Sequence, residues 1–112
     1  MRYKLKDGLD VDWRGEGRTT SEALKAAFSR TGHPQSEFYV TKWGKDKHGK
    51  SHPVEWRHPS GAEVNVDVTH THNGPDAPHV GWQTGGSRFT GGAKRGHIIL
   101  DDVPYNRPSD KA

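Results

Sequence analysis

The sequence predicts an α+β domain in which an N-terminal helix precedes an antiparallel meander of four to five strands. Residues 19–32 combine the spacing of a helix capping box with a narrow apolar stripe. After residue 38 the chain consists of short alternating segments separated by turn residues, which is typical of strands. One helix that covers one face of such a sheet gives a two-layer domain.

The individual elements follow from local patterns. Residues 9–13 alternate apolar and acidic side chains and indicate a short extended segment. The helix is expected to begin after Thr19, with Glu22 completing the capping box, and to end at Gly32. The clearest strand is 62–68, because its four apolar residues share one face and its three polar residues share the other. The predicted strands are 38–43, 51–57, 62–68, 79–84 and 97–101.

Composition indicates one domain, residues 1–112, with flexible termini at about 1–8 and 105–112. Leu, Ile, Val and Phe together number only 17 of 112 residues, so the core must be thin and the four tryptophans must supply part of it. The chain has no cysteine, which excludes disulfides and thiolate metal sites. No apolar run approaches membrane-spanning length, and we expect no export signal or membrane anchor in this segment.

Charge and histidine are concentrated in the middle of the chain. The formal net charge is +3 and the pI is about 9.3, which favours an anionic partner. His70, His72 and His79 lie with Asp67 in a strand end and the loop after it, where scaffolds often display catalytic groups. A His-x-His pair on extended chain points both rings to one side, so it suits an acid and a base, or two metal ligands. A solvated polar loop is the simpler alternative.

A second candidate cluster spans residues 88–97 and combines glycines with Arg88, Lys94, Arg95 and His97. Glycine lets the backbone approach a phosphate closely, and cationic side chains neutralise the phosphate charge. The alternative is a flexible surface loop whose positive charge is incidental. The spacing fits neither a Walker motif nor a dinucleotide fingerprint, so we expect no nucleotide cofactor.

A third candidate is the hairpin 42–50, in which Trp43 is interleaved with lysines. This composition suits contact with a nucleic-acid backbone and stacking on bases. Lysine-rich hairpin tips also protect sheet edges against aggregation, so both interpretations stay open. Trp82 is a candidate for substrate binding, although tryptophans in such positions more often belong to the core.

Several short motifs resemble one known group of proteins. The motifs are PVEWR at 53–57, GAEV at 61–64, HNGP at 72–75, PHVG at 78–81 and GHIILDDVP at 96–104. Together they resemble the C-terminal toxin domains of bacterial polymorphic and contact-dependent growth inhibition systems, in particular the type 47 polymorphic toxin domain. The resemblance extends from about residue 9 to residue 107.

This resemblance implies a fold of the barnase, EndoU, colicin E5/D and RelE group, RNase activity, and delivery from the end of a larger secreted or cell-surface effector. It also implies action in the target-cell cytoplasm and a bound immunity protein in the producing cell. We expect that immunity protein to be acidic, because the candidate surface is cationic. The expected substrate is RNA, in particular tRNA.

A metal-independent RNase needs a base for the ribose 2′-hydroxyl, an acid for the departing 5′-oxygen, and cations around the phosphorus. Histidine can fill either proton-transfer role near neutral pH. We expect no metal and no cofactor, and products ending in a 2′,3′-cyclic phosphate. Two alternatives stay open: a metal-dependent DNase with ligands such as Asp67, and a non-catalytic RNA-binding module. The candidate catalytic residues are His70, His72, His79, His97 and Lys94, and the candidate substrate-binding residues are Arg57, Arg88, Arg95 and Trp82.

Overall fold

The structure is a computed structural model that describes residues 1–69, 74–86 and 92–108. It is an α+β fold with one α-helix, as predicted, and one sheet. Among the described residues, no helix combines the length and the apolar character needed to cross a membrane. The elements are β1 (Val11–Asp12), α1 (Thr20–Thr31), a 3-10 helix (Gln35–Glu37), β2 (Tyr39–Lys45), β3 (Ser51–Arg57), β4 (Glu63–Asp67), β5 (His79–Gln83) and β6 (Arg95–Ile99).

Helix α1 begins and ends where the sequence predicts. The Glu22 backbone N–H donates to Thr19 Oγ1 at 3.1 Å, and the Thr19 N–H donates to Glu22 Oε1 at 3.0 Å, which is the reciprocal capping box. Gly32 ends the helix at φ 81°, a left-handed conformation in which glycine has no side-chain clash. The predicted helix is confirmed.

The sheet differs from the predicted antiparallel meander of four to five strands. It has six strands in the order β1-β6-β5-β4-β3-β2, and it is mixed because β1 pairs with β6 in parallel. The other neighbouring pairs, from β2–β3 to β5–β6, are antiparallel. The sequence could not reveal β1 as a sheet strand, because two residues are too short for a period-two pattern.

The core lies between α1 and one face of the sheet. Ala23, Ala27 and Phe28 of the helix pack on a cluster of buried strand residues, and the Phe28 ring meets the Trp56 ring edge-on at 5.4 Å between centroids. Alternation along each strand then directs the intervening side chains to the other side, which we call the open face. The buried strand residues of the core are Val54, Trp56, Val64, Val66, Val80, Trp82 and Ile98.

The C-terminal segment fills a split in the sheet. Strands β3 and β4 pair at only three positions, from Glu55↔Asn65 to Arg57↔Glu63. Just beyond the Glu55↔Asn65 pair, the Arg107 backbone N–H donates to the Val66 carbonyl at 2.9 Å, so the segment takes the place of a neighbouring strand. This brings the Arg107 side chain onto the sheet, within the region predicted to be a flexible terminus.

Candidate active site

A polar pocket of about 310 Å³ lies on the open face of the sheet. Two cross-strand rows form its floor, because residues that pair across antiparallel strands share a face. One row is Asn65, Gly81 and His97, and the other is Arg57, Glu63, Gln83 and Arg95. Arg107 closes one side. The lining is charged and amide-bearing, which suits an anionic or hydroxyl-rich ligand better than an apolar one.

Gly81 keeps the middle of the pocket floor open. A Cβ atom at this position would lie 2.5 Å from Asn65 Oδ1, closer than real Cβ atoms approach an oxygen. Glycine therefore lets the Asn65 side chain lie across β5 toward His97. Asn65 Nδ2 in turn donates to Glu63 Oε2 at 2.6 Å, which fixes the amide and the carboxylate relative to each other.

His97 is held by a buried carboxylate from the N-terminal segment. Its Nδ1 lies 2.9 Å from Asp10 Oδ1, and its backbone N–H donates to the same oxygen at 2.8 Å. The Tyr3 hydroxyl donates to Asp10 Oδ2 at 2.8 Å. The Asp10 carboxylate is 1% exposed, so all of its contacts are made inside the protein. The parallel pairing of β1 with β6 places Asp10 at this point.

Burial sets the protonation of this pair. It lowers the pKa of His97 to about 4, although the hydrogen bond to Asp10 opposes the shift. Burial alone would raise the pKa of Asp10, but the hydrogen bonds from Lys6, His97 and Tyr3 bring it below its ordinary value. At neutral pH the imidazole is therefore neutral and the carboxylate ionised. Nδ1–H then donates to Asp10, and the ring lone pair is on Nε2.

The Arg107 side chain is held by hydrogen bonds to two carboxylates, those of Asp67 and Glu55. Its Nε and Nη2 donate to the two Asp67 oxygens at 2.5 and 2.6 Å, and its Nη1 donates to Glu55 Oε1 at 2.8 Å. Glu63 Oε2 lies 3.6 Å from Nη1. Burial alone would lower the pKa of Arg107, but the hydrogen bonds and charges of the carboxylates raise it above its ordinary value. A guanidinium so fully paired organises the carboxylates and has little capacity left for a phosphate.

Arg57 and Arg95 are the more accessible cations. The Arg57 side chain is 51% exposed, although its Nε lies 3.3 Å from Glu55 Oε2 and its Nη2 lies 3.3 Å from Glu63 Oε1. Arg95 is exposed at the start of β6. Both stand in the same cross-strand row, on either side of Glu63 and Gln83. These two arginines could therefore contact a phosphate placed over the row.

Three of the predicted site residues meet at the pocket: Arg57, Arg95 and His97. Trp82 also borders it, but this residue is 6% exposed and its indole belongs to the core cluster, so it offers no stacking surface. Lys94 is exposed just before β6 and is not part of the pocket lining; its backbone exchanges hydrogen bonds with Thr84.

Of the predicted cluster of His70, His72 and His79, the described residues include only His79. His79 is fully buried, with Nδ1 2.7 Å from the Ala77 carbonyl and Nε2 3.6 Å from Asp67 Oδ2. Its ring meets the His97 ring edge-on at 5.3 Å between centroids, so it lies behind His97 rather than in the pocket. His70, His72 and Arg88 lie outside the described residues.

The sequence analysis did not select five residues that build the pocket or its supports. The polar alternation of 62–68 was visible, but its carboxylate and amide were not assigned a role. The contacts of Asp10 and Arg107 depend on pairings between distant parts of the chain. The residues not selected are Asp10, Glu63, Asn65, Gln83 and Arg107.

A separate histidine cluster lies beyond the end of α1. Ligand atoms of His33, Glu37 and His58 all lie within 4.8 Å of one another. However, the two rings are stacked at 3.8 Å with an interplanar angle of 20°, so their in-plane lone pairs run side by side and do not converge on one ion. The Ser60 N–H donates to His58 Nδ1 at 3.0 Å, and His58 Nε2 lies 3.1 Å from Glu37 Oε1. This arrangement is a hydrogen-bonded contact between the helix end and the β3–β4 turn.

Comparison with known families gives one match. The family model described as bacterial toxin 47 matches residues 1–107, which is nearly the whole chain. Comparison with curated proteins and with solved structures found no significant match. The resemblance inferred from the short motifs is thus confirmed as a toxin domain, whereas its placement in the RNase group stays a prediction. The chain belongs to the bacterial toxin 47 family.

Proposed function

We propose that this domain is an endoribonuclease toxin that cleaves RNA at the pocket on the open face. The observation that supports the proposal is His97, held by a buried Asp10 and placed on one floor with Arg57 and Arg95. A neutral imidazole oriented by a carboxylate is suited to accept a proton, and the carboxylate stabilises the imidazolium that forms. Two accessible guanidiniums that line the same pocket suit a phosphodiester.

In the proposed reaction, His97 Nε2 takes the proton of the ribose 2′-hydroxyl. The 2′-oxygen attacks the adjacent phosphorus, the bond to the 5′-oxygen breaks, and the products are a 2′,3′-cyclic phosphate and a 5′-hydroxyl. Arg57 and Arg95 stabilise the charge that develops on the phosphoryl oxygens. The acid that protonates the 5′-oxygen stays a prediction among His70, His72 and His79; of these, His79 is buried behind His97.

Glu63 is the competing base. Its carboxylate lines the same pocket, two strands from His97, and interacts with Asn65 and Arg57. We assign it instead to holding the Arg57 guanidinium and the Asn65 amide in place. The two assignments differ in outcome: Glu63→Gln keeps the shape and the hydrogen-bonding capacity of the side chain, so it should lower cleavage much less than His97→Ala if His97 is the base.

The central experiment offers tRNA, ribosomal RNA and DNA to the purified domain with and without a chelator. We expect RNA cleavage that survives the chelator and leaves cyclic-phosphate ends. His97→Ala should lower turnover by roughly 10²- to 10⁴-fold, as for other losses of a general acid or base. His48→Ala is the matched control, because His48 is exposed on the β2–β3 turn away from the pocket. Cleavage that depends on an added metal, or full activity of His97→Ala, would contradict the proposal.

The proposed activity also requires an inhibitor in the producing cell, and we propose an acidic immunity protein that covers the pocket. Opposite charges would accelerate association, and added salt would screen them. The association rate should therefore fall as ionic strength rises, and RNA should compete with the immunity protein for binding to the domain. A basic inhibitor that binds at a salt-independent rate and leaves RNA binding intact would contradict this arrangement.

A further inference from the structure

Two aromatic side chains are exposed on the outermost strand of the sheet. Tyr39 is 54% exposed and Trp43 is 55% exposed, and both belong to β2, which among the described strands pairs only with β3. The third exposed large hydrophobic residue is the N-terminal methionine, so among the described residues these two are the large aromatic rings available at the surface. Rings of this size are usually buried unless a partner covers them.

Both rings lie on the open face, the face that carries the pocket. Tyr39 pairs with Arg57 and Trp43 pairs with Pro53, while the buried residues Val54 and Trp56 point to the helix. Tyr39 therefore extends the row of Arg57, Glu63, Gln83 and Arg95 by one position. At about 4.8 Å per strand, its backbone lies about 10 Å from that of Glu63 in the pocket.

Two lysines lie on the same strand as these rings. Lys42 and Lys45 belong to the same strand, and Lys42 Nζ lies 3.9 Å from Glu55 Oε1, which fixes it toward the open face. Register shifts on either side of Lys42 place neighbouring side chains of β2 on the same face, so aromatic and cationic groups alternate there. Aromatic rings interleaved with lysines along a groove are typical of single-stranded nucleic-acid binding.

Two separate exposed rings favour unpaired RNA over duplex RNA. Tyr39 and Trp43 are four positions apart along the strand, which is at most about 13 Å. Bases inside a duplex are paired and stacked on each other, so they present no free face to a side chain, whereas unpaired bases can be splayed out onto aromatic rings. The two rings therefore fit unpaired bases, each stacked separately, and do not fit a helix.

We propose that Tyr39 and Trp43 form a stacking subsite for two unpaired bases of the RNA strand whose phosphodiester occupies the pocket. This inference rests on the proposed function, because it takes the pocket to be the place of cleavage. The subsite would give the domain a preference for loops and single-stranded regions over duplex. A nucleotide seated beside Arg57 leads directly onto Tyr39, since the two residues are cross-strand neighbours.

The test measures binding and cleavage separately. Binding of an unstructured RNA octamer is followed at equilibrium in the His97→Ala background, so that the RNA stays intact. Tyr39→Ala and Trp43→Ala should each weaken octamer binding by roughly 5- to 100-fold, the range for losing one base–aromatic stack. Trp43→Phe and Tyr39→Phe should restore most of the affinity, and a fully paired duplex should bind weakly to every variant. Lys25→Ala, an exposed charge on α1, is the control for a general loss of positive charge.

With His97 intact, Tyr39→Ala and Trp43→Ala should lower cleavage of the octamer much more than cleavage of a dinucleotide, which is too short to reach both rings from the pocket. Octamer binding that is unaffected by both alanine variants would overturn the subsite, and so would equal affinity for duplex; the rings would then serve a protein partner. If the wild-type domain cleaves neither substrate but the alanine variants still lose octamer binding, the subsite stands and the proposed catalysis fails. Urea unfolding of each variant checks that the fold is intact.

Discussion

The buried imidazole of His97 should make the stability of this domain depend on pH in a defined window. Its pKa is 6.5 in an ordinary environment and about 4 in the folded protein, because burial disfavours the charged ring. Between these values the unfolded chain binds a proton that the folded chain excludes. The stability that depends on a neutral His97 is therefore fully present above about pH 6.5, and it is lost as the pH falls toward 4.

The size of the effect follows from the same pKa values. Each pKa unit corresponds to about 1.36 kcal/mol, so the whole transition amounts to roughly 3 kcal/mol. Between pH 7 and pH 5 the expected loss is about 2 kcal/mol of unfolding free energy. This interval is informative because Asp10 and Glu55, whose pKa values are lowered, affect stability mainly at still lower pH.

The measurement is urea unfolding followed by tryptophan fluorescence at several pH values, for the wild type and for His97→Gln. The glutamine amide can still donate to Asp10 but does not titrate. The difference in stability between the two proteins should therefore narrow by about 2 kcal/mol from pH 7 to pH 5. His48→Gln, at an exposed position, should keep the wild-type slope. Parallel curves for wild type and His97→Gln would refute the reasoning.

Three further predictions concern the pocket and its supports. Arg107→Ala should destabilise the domain by about 3–5 kcal/mol in urea unfolding, because it leaves the buried carboxylates of Asp67 and Glu55 without their cation; a loss below 1 kcal/mol would contradict the assigned pairing. Asp10→Asn should lower kcat more than it raises KM, since it disturbs the orientation of His97 and not phosphate contact, and unchanged kcat would argue against His97 as the base. The kcat/KM of the wild type should fall as the pH drops through about 4, where His97 becomes protonated. If kcat/KM instead falls as the pH rises through that value, His97 acts as the acid and not as the base.

The parts of this fold that depend on local patterns were predictable. The helix could be located because its cap, its apolar stripe and its terminal glycine all lie within 14 consecutive residues. The alternation at 62–68 correctly separated the core face from the polar face, because a strand repeats every two residues. The start of β6 at Arg95 was placed two residues too late, since glycine and arginine carry little strand signal.

The sequence predicted those site residues whose side-chain chemistry alone indicates a role. His97, Arg57 and Arg95 were selected for their imidazole and guanidinium groups, and the pocket contains all three. The support of His97 by Asp10 joins residues 87 positions apart through a parallel strand pairing, for which the sequence has no local pattern. Arg107 lies in a polar, proline-containing segment, so nothing in the sequence distinguishes it from a loose tail.

The split between β3 and β4, filled by the segment that carries Arg107, makes the pocket depend on the C-terminal part of the domain. Arg107 contacts residues 52 and 40 positions earlier, and His97 contacts Asp10, 87 positions earlier, so the pocket is assembled from parts of the chain that are distant in sequence. Without residue 107, Glu55 and Asp67 lack the guanidinium that bonds to both of them. A chain that ends between residues 97 and 107 therefore contains His97 and both accessible arginines but lacks the Arg107 side of the pocket.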